Sequence, residues 1–204
     1  MNTAGLALRK VCASRLNYRL SFGFDLFTPI TLLYIGGARH SAGVPAADWS
    51  VAAFSFCAGA FLFTFIEYGM HRWLFHAHAS FATASHQHHH RSPRAPTSMP
   101  FPCSALGGFV LWALFSPMVG EQIAYFVASG ILSGYFNYAV LHHLQHHVRI
   151  KAVHWQWLQN RWTAHALHHG RLDKNYGVTT SLWDHVFGTY HASRALRARR
   201  QTVP

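Results

Sequence analysis

The chain has 204 residues, enough for one domain or one compact membrane unit; half are hydrophobic, 15% are aromatic and only 11% are charged. Soluble domains carry roughly 25% charged residues, so the deficit argues against a water-soluble globule and for a membrane. The net charge of +11 does not mark a nucleic-acid binder, because the basic residues are dispersed between apolar runs and not gathered on one module; anionic lipid headgroups are the natural partner.

In chain order, four apolar segments of membrane-spanning length follow one another: Leu20 to Ala38, which carries Asp25 and Pro29, then Val51 to Met70, Phe101 to Val119 and Ile123 to Leu141. Each is close to the ~20 residues that cross the hydrocarbon core as a helix. The last two form a hairpin around Gly120 and Glu121, either fully spanning or partly re-entrant. With four crossings, sixteen of the 17 basic residues share one face, Arg39 being the exception. The positive-inside rule makes that face cytoplasmic, and every histidine but His40 lies on it. The loop holding "SHQHHHRSP" (85–93) can therefore meet the region after Leu141 at one membrane face. That region reads as a helix from Val153 to His169 stopped by Gly170, then a loop entering a short helical turn over 175–190, then a basic tail. The three cysteines, Cys12, Cys57 and Cys103, are scattered, which excludes a disulfide framework and a thiolate zinc site.

Ten of the 18 histidines fall into four ordered groups. His71 and His76 give HxxxxH; His86, His89 and His90 give HxxHH; His142 and His146 give HxxxH; His165, His168 and His169 give HxxHH again. Positions three and four apart share a helix face, and imidazole suits iron, copper, nickel and zinc. Burying that many titratable rings near lipid is costly without a compensating partner, which a metal supplies. Ten ligands are too many for one ion, so the count points to two. No carboxylate ligand motif accompanies them, so a carboxylate-bridged bundle is not the pattern.

The stretches "EYGMHRWLFH" (67–76), "HQHHH" (86–90), "HHLQHH" (142–147) and "HALHHG" (165–170), closed by "YGVTTSLWDHVFGT" (176–189), resemble the fatty acid hydroxylase/sterol desaturase superfamily over more than half the chain. The resemblance implies an all-α integral membrane protein with about four transmembrane helices and a cytoplasmic, helical, histidine-rich cap holding a dimetal site. It implies one such domain over 1–204, with the motifs at about 51–190 and a basic tail at 192–204. The ten histidines become ligands of two iron ions, with zinc able to replace iron in purified protein and dioxygen as co-substrate. The ending is nearest the fatty acid 2-hydroxylases, which act beside the carbonyl. A membrane lipid is then the substrate, and a separate ferredoxin- or cytochrome b5-like protein the electron donor. Desaturation, and sterol, carotenoid or lipid-headgroup substrates, stay open beside it; a membrane metal- or haem-binding protein is the non-enzyme alternative.

Glu67 and Asp184 flank ligand motifs in a chain with only six acids. Each is expected to accept a hydrogen bond from a ligating imidazole and fix its tautomer. His147 either joins the ligands or supports one. His78, His88 and His143 are spacers facing outward, His154 lies too far along its helix to share an ion with His165, and His185 and His191 are peripheral. Trp73, Phe75, Trp155, Trp157, Trp162 and Trp183 read as interfacial anchors and pocket wall. Arg72, Arg91, Arg94 and Arg161 read as a basic rim favouring an anionic group.

Overall fold

Backbone groups in a membrane find no water to bond, so apolar runs must satisfy them internally as helices. The computed structural model describes residues 8, 10–41, 48–76, 80–149 and 155–192, and among these residues there is no strand. Its main helices are α1 (Arg15–Ser41), α2 (Trp49–Gly69), which runs on into a π-helical turn (Met70–Phe75), α3 (Phe81–Arg91), α4 (Cys103–Val119), α5 (Glu121–His147), α6 (Gln156–Gly170) and α7 (Leu182–Val186). Arg15–Arg39, Trp49–Phe75 and Glu121–His147 are long and apolar enough to cross a membrane, which marks an integral membrane protein. The third predicted span, α4, is shorter at 17 residues; at 1.5 Å per residue that is about 26 Å, a little under the hydrocarbon thickness.

The four apolar segments are thus helices, with α1 and α5 longer than their apolar runs. The segment expected as a loop around "SHQHHHRSP" is instead helical through Arg91. It has neither Gly nor Pro before Pro93, and Ser80 caps its start by accepting from the Thr83 amide at 3.1 Å. Gly170 closes α6 as expected, and the short turn falls at Leu182–Val186. His78, His154 and the tail from 193 onward lie outside the described residues. All three cysteines are free.

Contacts divide the chain into two units, 1–64 with 95–139, and 65–94 with 140–204. In the first, α2 and α5 approach backbone to backbone. A Cβ added at Gly59 would meet the Val127 carbonyl oxygen at 2.3 Å, and one at Gly130 the Phe56 carbonyl oxygen at 2.1 Å. Small residues serve this purpose in membranes, where association depends on close packing. Asn17 on α1 donates to Ser98 Oγ and to the Met99 carbonyl, each at 2.9 Å, and accepts from the Phe101 amide at 3.0 Å. This clamps the segment leading into α4. Ser129 on α5 donates to the Pro29 carbonyl at 2.7 Å, and an ion pair joins Arg39 at the end of α1 to Glu121 at the start of α5. Between α4 and α5, Gly120 takes φ +85, a backbone that side chains resist.

Gly59→Val and Gly130→Val should each destabilise the protein by about 1–3 kcal/mol, the range for overpacking, because the clash is with main chain. Gly107, with nothing within 4 Å of an added Cβ, is the control, and Gly107→Ala should not lower the melting temperature in detergent.

Candidate metal centre

The ten histidines all belong to the second unit, and their ligand atoms gather in two groups of five. His71, His76, His86, His90 and His168 form the first; His89, His142, His146, His165 and His169 form the second; within each, the atoms lie within 4.8 Å of one another. The HxxxxH spacing needs special winding to contribute. Five residues along an α-helix are about 140° apart around the axis. The π-helical turn Met70–Phe75, with His76 directly after it, changes that relation, and both rings reach one group. Such turns are rare and concentrate at functional sites. The HxxHH helices do not deliver three rings to one place, as the shared-face argument suggests. On α3 the i, i+4 pair His86 and His90 joins the first group while His89 joins the second; on α6 the pair His165 and His169 joins the second while His168 joins the first.

Within the groups the Nε2 atoms face one another. In the first, His71–His86 and His86–His76 are 3.0 Å apart, His86–His90 2.9 Å and His76–His168 3.2 Å. In the second, His142–His146 is 3.3 Å, His146–His165 2.8 Å and His165–His169 3.2 Å. Neighbouring ligands on one ion, with metal–nitrogen bonds of about 2.0–2.1 Å, are separated by about 3.0–3.4 Å, so the spacing fits a shared ion. His89 Nε2 is buried with no hydrogen-bond partner, as expected of a lone pair held for a metal. Each group consists of histidines only, a neutral nitrogen donor set suited to a transition metal and not to calcium or magnesium.

Two rings have their tautomer fixed from outside. His71 Nδ1 donates to the Tyr176 carbonyl at 2.5 Å, and His168 Nδ1 to the Lys174 carbonyl at 2.8 Å. A carbonyl only accepts, so the proton sits on Nδ1 and Nε2 keeps its lone pair. The loop that supplies these carbonyls is tied by carboxylates. Asp184 accepts from the amides of Tyr176 (2.8 Å) and Gly177 (2.9 Å) and from Thr189 Oγ1 (2.7 Å). Glu67 accepts from the amides of Val178 (2.5 Å) and Thr179 (3.1 Å) and from the Thr179 hydroxyl. Four successive amides, 176 to 179, are thus spent on two buried acids. Gly177 is required, since a Cβ there would meet the Thr180 carbonyl oxygen at 1.9 Å. Asn175, at φ 56, closes the loop by exchanging side-chain hydrogen bonds with the backbone of His191 at 2.9 and 2.7 Å.

This corrects the roles expected of the two acids. Neither Glu67 nor Asp184 bonds an imidazole; each holds the loop whose carbonyls do, because backbone amides fill the positions a ring N–H would take. His147 is in neither group; it is exposed and stacks on His143, centroids 4.3 Å apart. His88 is also outside both groups, His185 stacks on Tyr190, and His191 meets Arg171 at 3.2 Å. Arg161 is no rim residue: it is 4% exposed, and its Nη1 has no hydrogen-bond partner. Arg72 donates to Tyr68 Oη at 2.9 Å and lies within 6 Å of the Tyr68, Trp73 and Phe187 ring centres. Trp73, Trp155 and Trp157 are exposed, as anchors should be, whereas Trp162 is buried. Sequence reasoning gave no role to Tyr176, whose carbonyl holds His71 and whose ring packs on His71, His76 and His168; its signal is its place at the head of the closing motif, beside Gly177.

Burial keeps these rings neutral. Loss of water, reinforced by the neighbouring imidazoles, pushes His86 far below the ordinary histidine range, His89 to about 2 and His90 to about 3. Burial also takes His168 to about 4, against the opposing pull of its bond to the Lys174 carbonyl. At neutral pH each ring therefore offers one lone pair, and for His71 and His168 that lone pair is on the inward-facing Nε2.

Compared with known proteins, residues 56–189 match the family model for fatty acid hydroxylase. The dihydroceramide fatty acyl 2-hydroxylase FAH2 of Arabidopsis thaliana is 34% identical over 146 residues, covering 67% of this chain and 60% of that protein. The ceramide very long chain fatty acid hydroxylase SCS7 of Saccharomyces cerevisiae is 33% identical over 153 residues, covering 68% of this chain and 38% of that protein. A solved structure of full-length Scs7p, with only the hydroxylase domain visible, matches with a TM-score of 0.66 at 29% identity, over 81% of this chain and 66% of that one. The chain thus spans less than two thirds of these relatives.

Two outcomes follow from the geometry. His89→Ala should strip metal from purified protein while His88→Ala leaves it in place; equal metal content in the two variants would overturn the division into groups. Metal-free protein should melt at progressively lower temperature as the pH falls from 8 to 5. Below the ordinary histidine value of 6.5 the unfolded chain takes up protons that the buried rings refuse until far lower pH.

Proposed function

This chain belongs to the fatty acid hydroxylase family, and we propose that it is a membrane-bound oxygenase that hydroxylates a lipid acyl chain beside its carbonyl, with two iron ions held by His71, His76, His86, His90 and His168 and by His89, His142, His146, His165 and His169. The observation that carries this reading is the gathering of ten neutral imidazoles, from four separate segments, into two groups of five. The names of the relatives, a dihydroceramide fatty acyl 2-hydroxylase among them, support a long acyl chain as substrate and C2 as the position.

When bound, the metal pair would supply the oxidising power drawn from dioxygen. The chain supplies placement. The Lys174 and Tyr176 carbonyls hold the Nδ1 protons of His168 and His71 so that their Nε2 atoms face inward. Glu67 and Asp184 hold those carbonyls through the amides of residues 176–179. Phe75, stacked on His86 at 5.1 Å, and Tyr176 pack apolar surface against the first group and exclude water from it. Hydroxylation consumes one dioxygen, two electrons and two protons per C–H bond, giving a C–OH group and water. The electrons are assigned to a separate ferredoxin- or cytochrome b5-like protein, as the family resemblance implies.

For topology we favour four crossings, with the N-terminus and the histidine-rich cap cytoplasmic, in one functional domain over 1–204. Sixteen of the 17 basic residues on one side support this. So does the Arg39–Glu121 pair, which links the two connections assigned to the opposite side.

Lipid mass spectrometry of cells expressing the chain with a competent electron donor should reveal acyl lipids that have gained one oxygen, absent with His89→Ala. Loss of two hydrogens instead would mean desaturation, and no new lipid with a metal-loaded protein would overturn the reading.

A further inference from the structure

The sequence HHLQHH (142–147) contains two HxxxH pairs on one helix, offset by one residue. His142 and His146 belong to the second five-histidine group, their rings 4.8 Å apart and nearly perpendicular at 89°. His143 and His147 belong to neither group. One residue of helix is about 100° of rotation, so this pair is carried on another flank of α5. Its rings lie stacked, centroids 4.3 Å apart and 25° from parallel, with His143 half-buried and His147 exposed.

We propose that His143 and His147 form a separate surface chelate for one divalent transition-metal ion, outside the ten-histidine centre. Two imidazoles one turn apart on a rigid helix are already paired for one ion, and turning both rings about χ2, a broad torsion, brings a nitrogen of each onto it. His142 and His146 display that turned arrangement at the same spacing on the same helix, with Nε2 atoms 3.3 Å apart. His147 sits in the last turn of α5, where the free carbonyl ends favour a cation. Arg94, whose Nε is 3.4 Å from the His146 carbonyl oxygen, opposes any ion held by charge alone. The site therefore selects copper, nickel or zinc, which bond strongly to imidazole, over magnesium or calcium. Nothing in this depends on the catalytic reading.

The test is copper titration of the full chain in detergent with its centre loaded, read by electron paramagnetic resonance and by metal counts after desalting. One further copper per chain is expected, with nitrogen couplings from two imidazoles. His143→Ala with His147→Ala should remove it and leave the metal content of the centre unchanged. His147→Ala alone, at an exposed position, should weaken it by more than about tenfold, the scale on which loss of even an outer partner of a ligand is felt. The proposal is overturned if no further copper is held, if the double variant retains it, or if the double variant also empties the centre. His142→Ala with His146→Ala should do the reverse, emptying the second group and sparing the surface ion, so the two readings fail separately.

Discussion

The lone pairs of imidazole nitrogens that face one another at about 3 Å inside a protein repel unless a proton or a metal cation lies between them, and much of the second unit follows from that constraint. Burial holds the rings neutral, so each has a single proton to share, and those of His71 and His168 are already given to carbonyls from Nδ1. Neither group contains an acid. Each buried donor or acceptor left unsatisfied costs about 1–3 kcal/mol, and His89 Nε2 lacks a partner. An arrangement this unfavourable without a cation, assembled from a π-helical turn and three helices, fits a metal ion in each group.

The acids of this chain act one step away from the rings. A carboxylate at an imidazole N–H would place negative charge next to the ligands; a carbonyl fixes the same proton without adding a full charge. Glu67 and Asp184 supply rigidity instead. Each is buried and each accepts three hydrogen bonds, so donors already needed in the loop offset part of the cost of removing a carboxylate from water. The sequence GVTT (177–180) makes this possible: Gly177 lets the chain approach the Thr180 carbonyl and Asp184, Val178 and Thr179 give their amides to Glu67, and the Thr179 hydroxyl adds a third donor.

The helices were legible because apolar length and histidine spacing are local signals. Leu20–Ala38 and Ile123–Leu141 marked α1 and α5 and missed their polar ends, where arginine and histidine continue a helix that hydrophobicity alone would stop. The ten histidines were legible as a set from their spacings. Their division was not: whether His89 faces His86 or His142 depends on where α3 sits against α5 and α6, which no local pattern encodes. The π-helical turn was hidden for a related reason. HxxxxH looks wrong for a helix until π-helical winding is allowed, and the Leu74 carbonyl within that turn accepts from the Thr83 hydroxyl at 3.0 Å, a partner that histidine spacing does not reveal. The roles of Glu67 and Asp184 were misassigned because acids beside histidine motifs suggest direct contact, while backbone donors are invisible in side-chain patterns.

The division also explains why the motif order matters more than the motif content. α3 gives two rings to the first group and one to the second; α6 does the reverse, so neither group can be completed without the helix that chiefly serves the other. Misplacing α3 would remove His86 and His90 from one group and His89 from the other together. A histidine pair such as His143 and His147 comes from one helix alone. The ten-ring centre needs the π-helical turn, α3, α5, α6 and the 174–179 loop at once. This interdependence separates a built site from a histidine-rich surface, and it places the sensitivity of the centre in the helices and the loop as much as in the ligands.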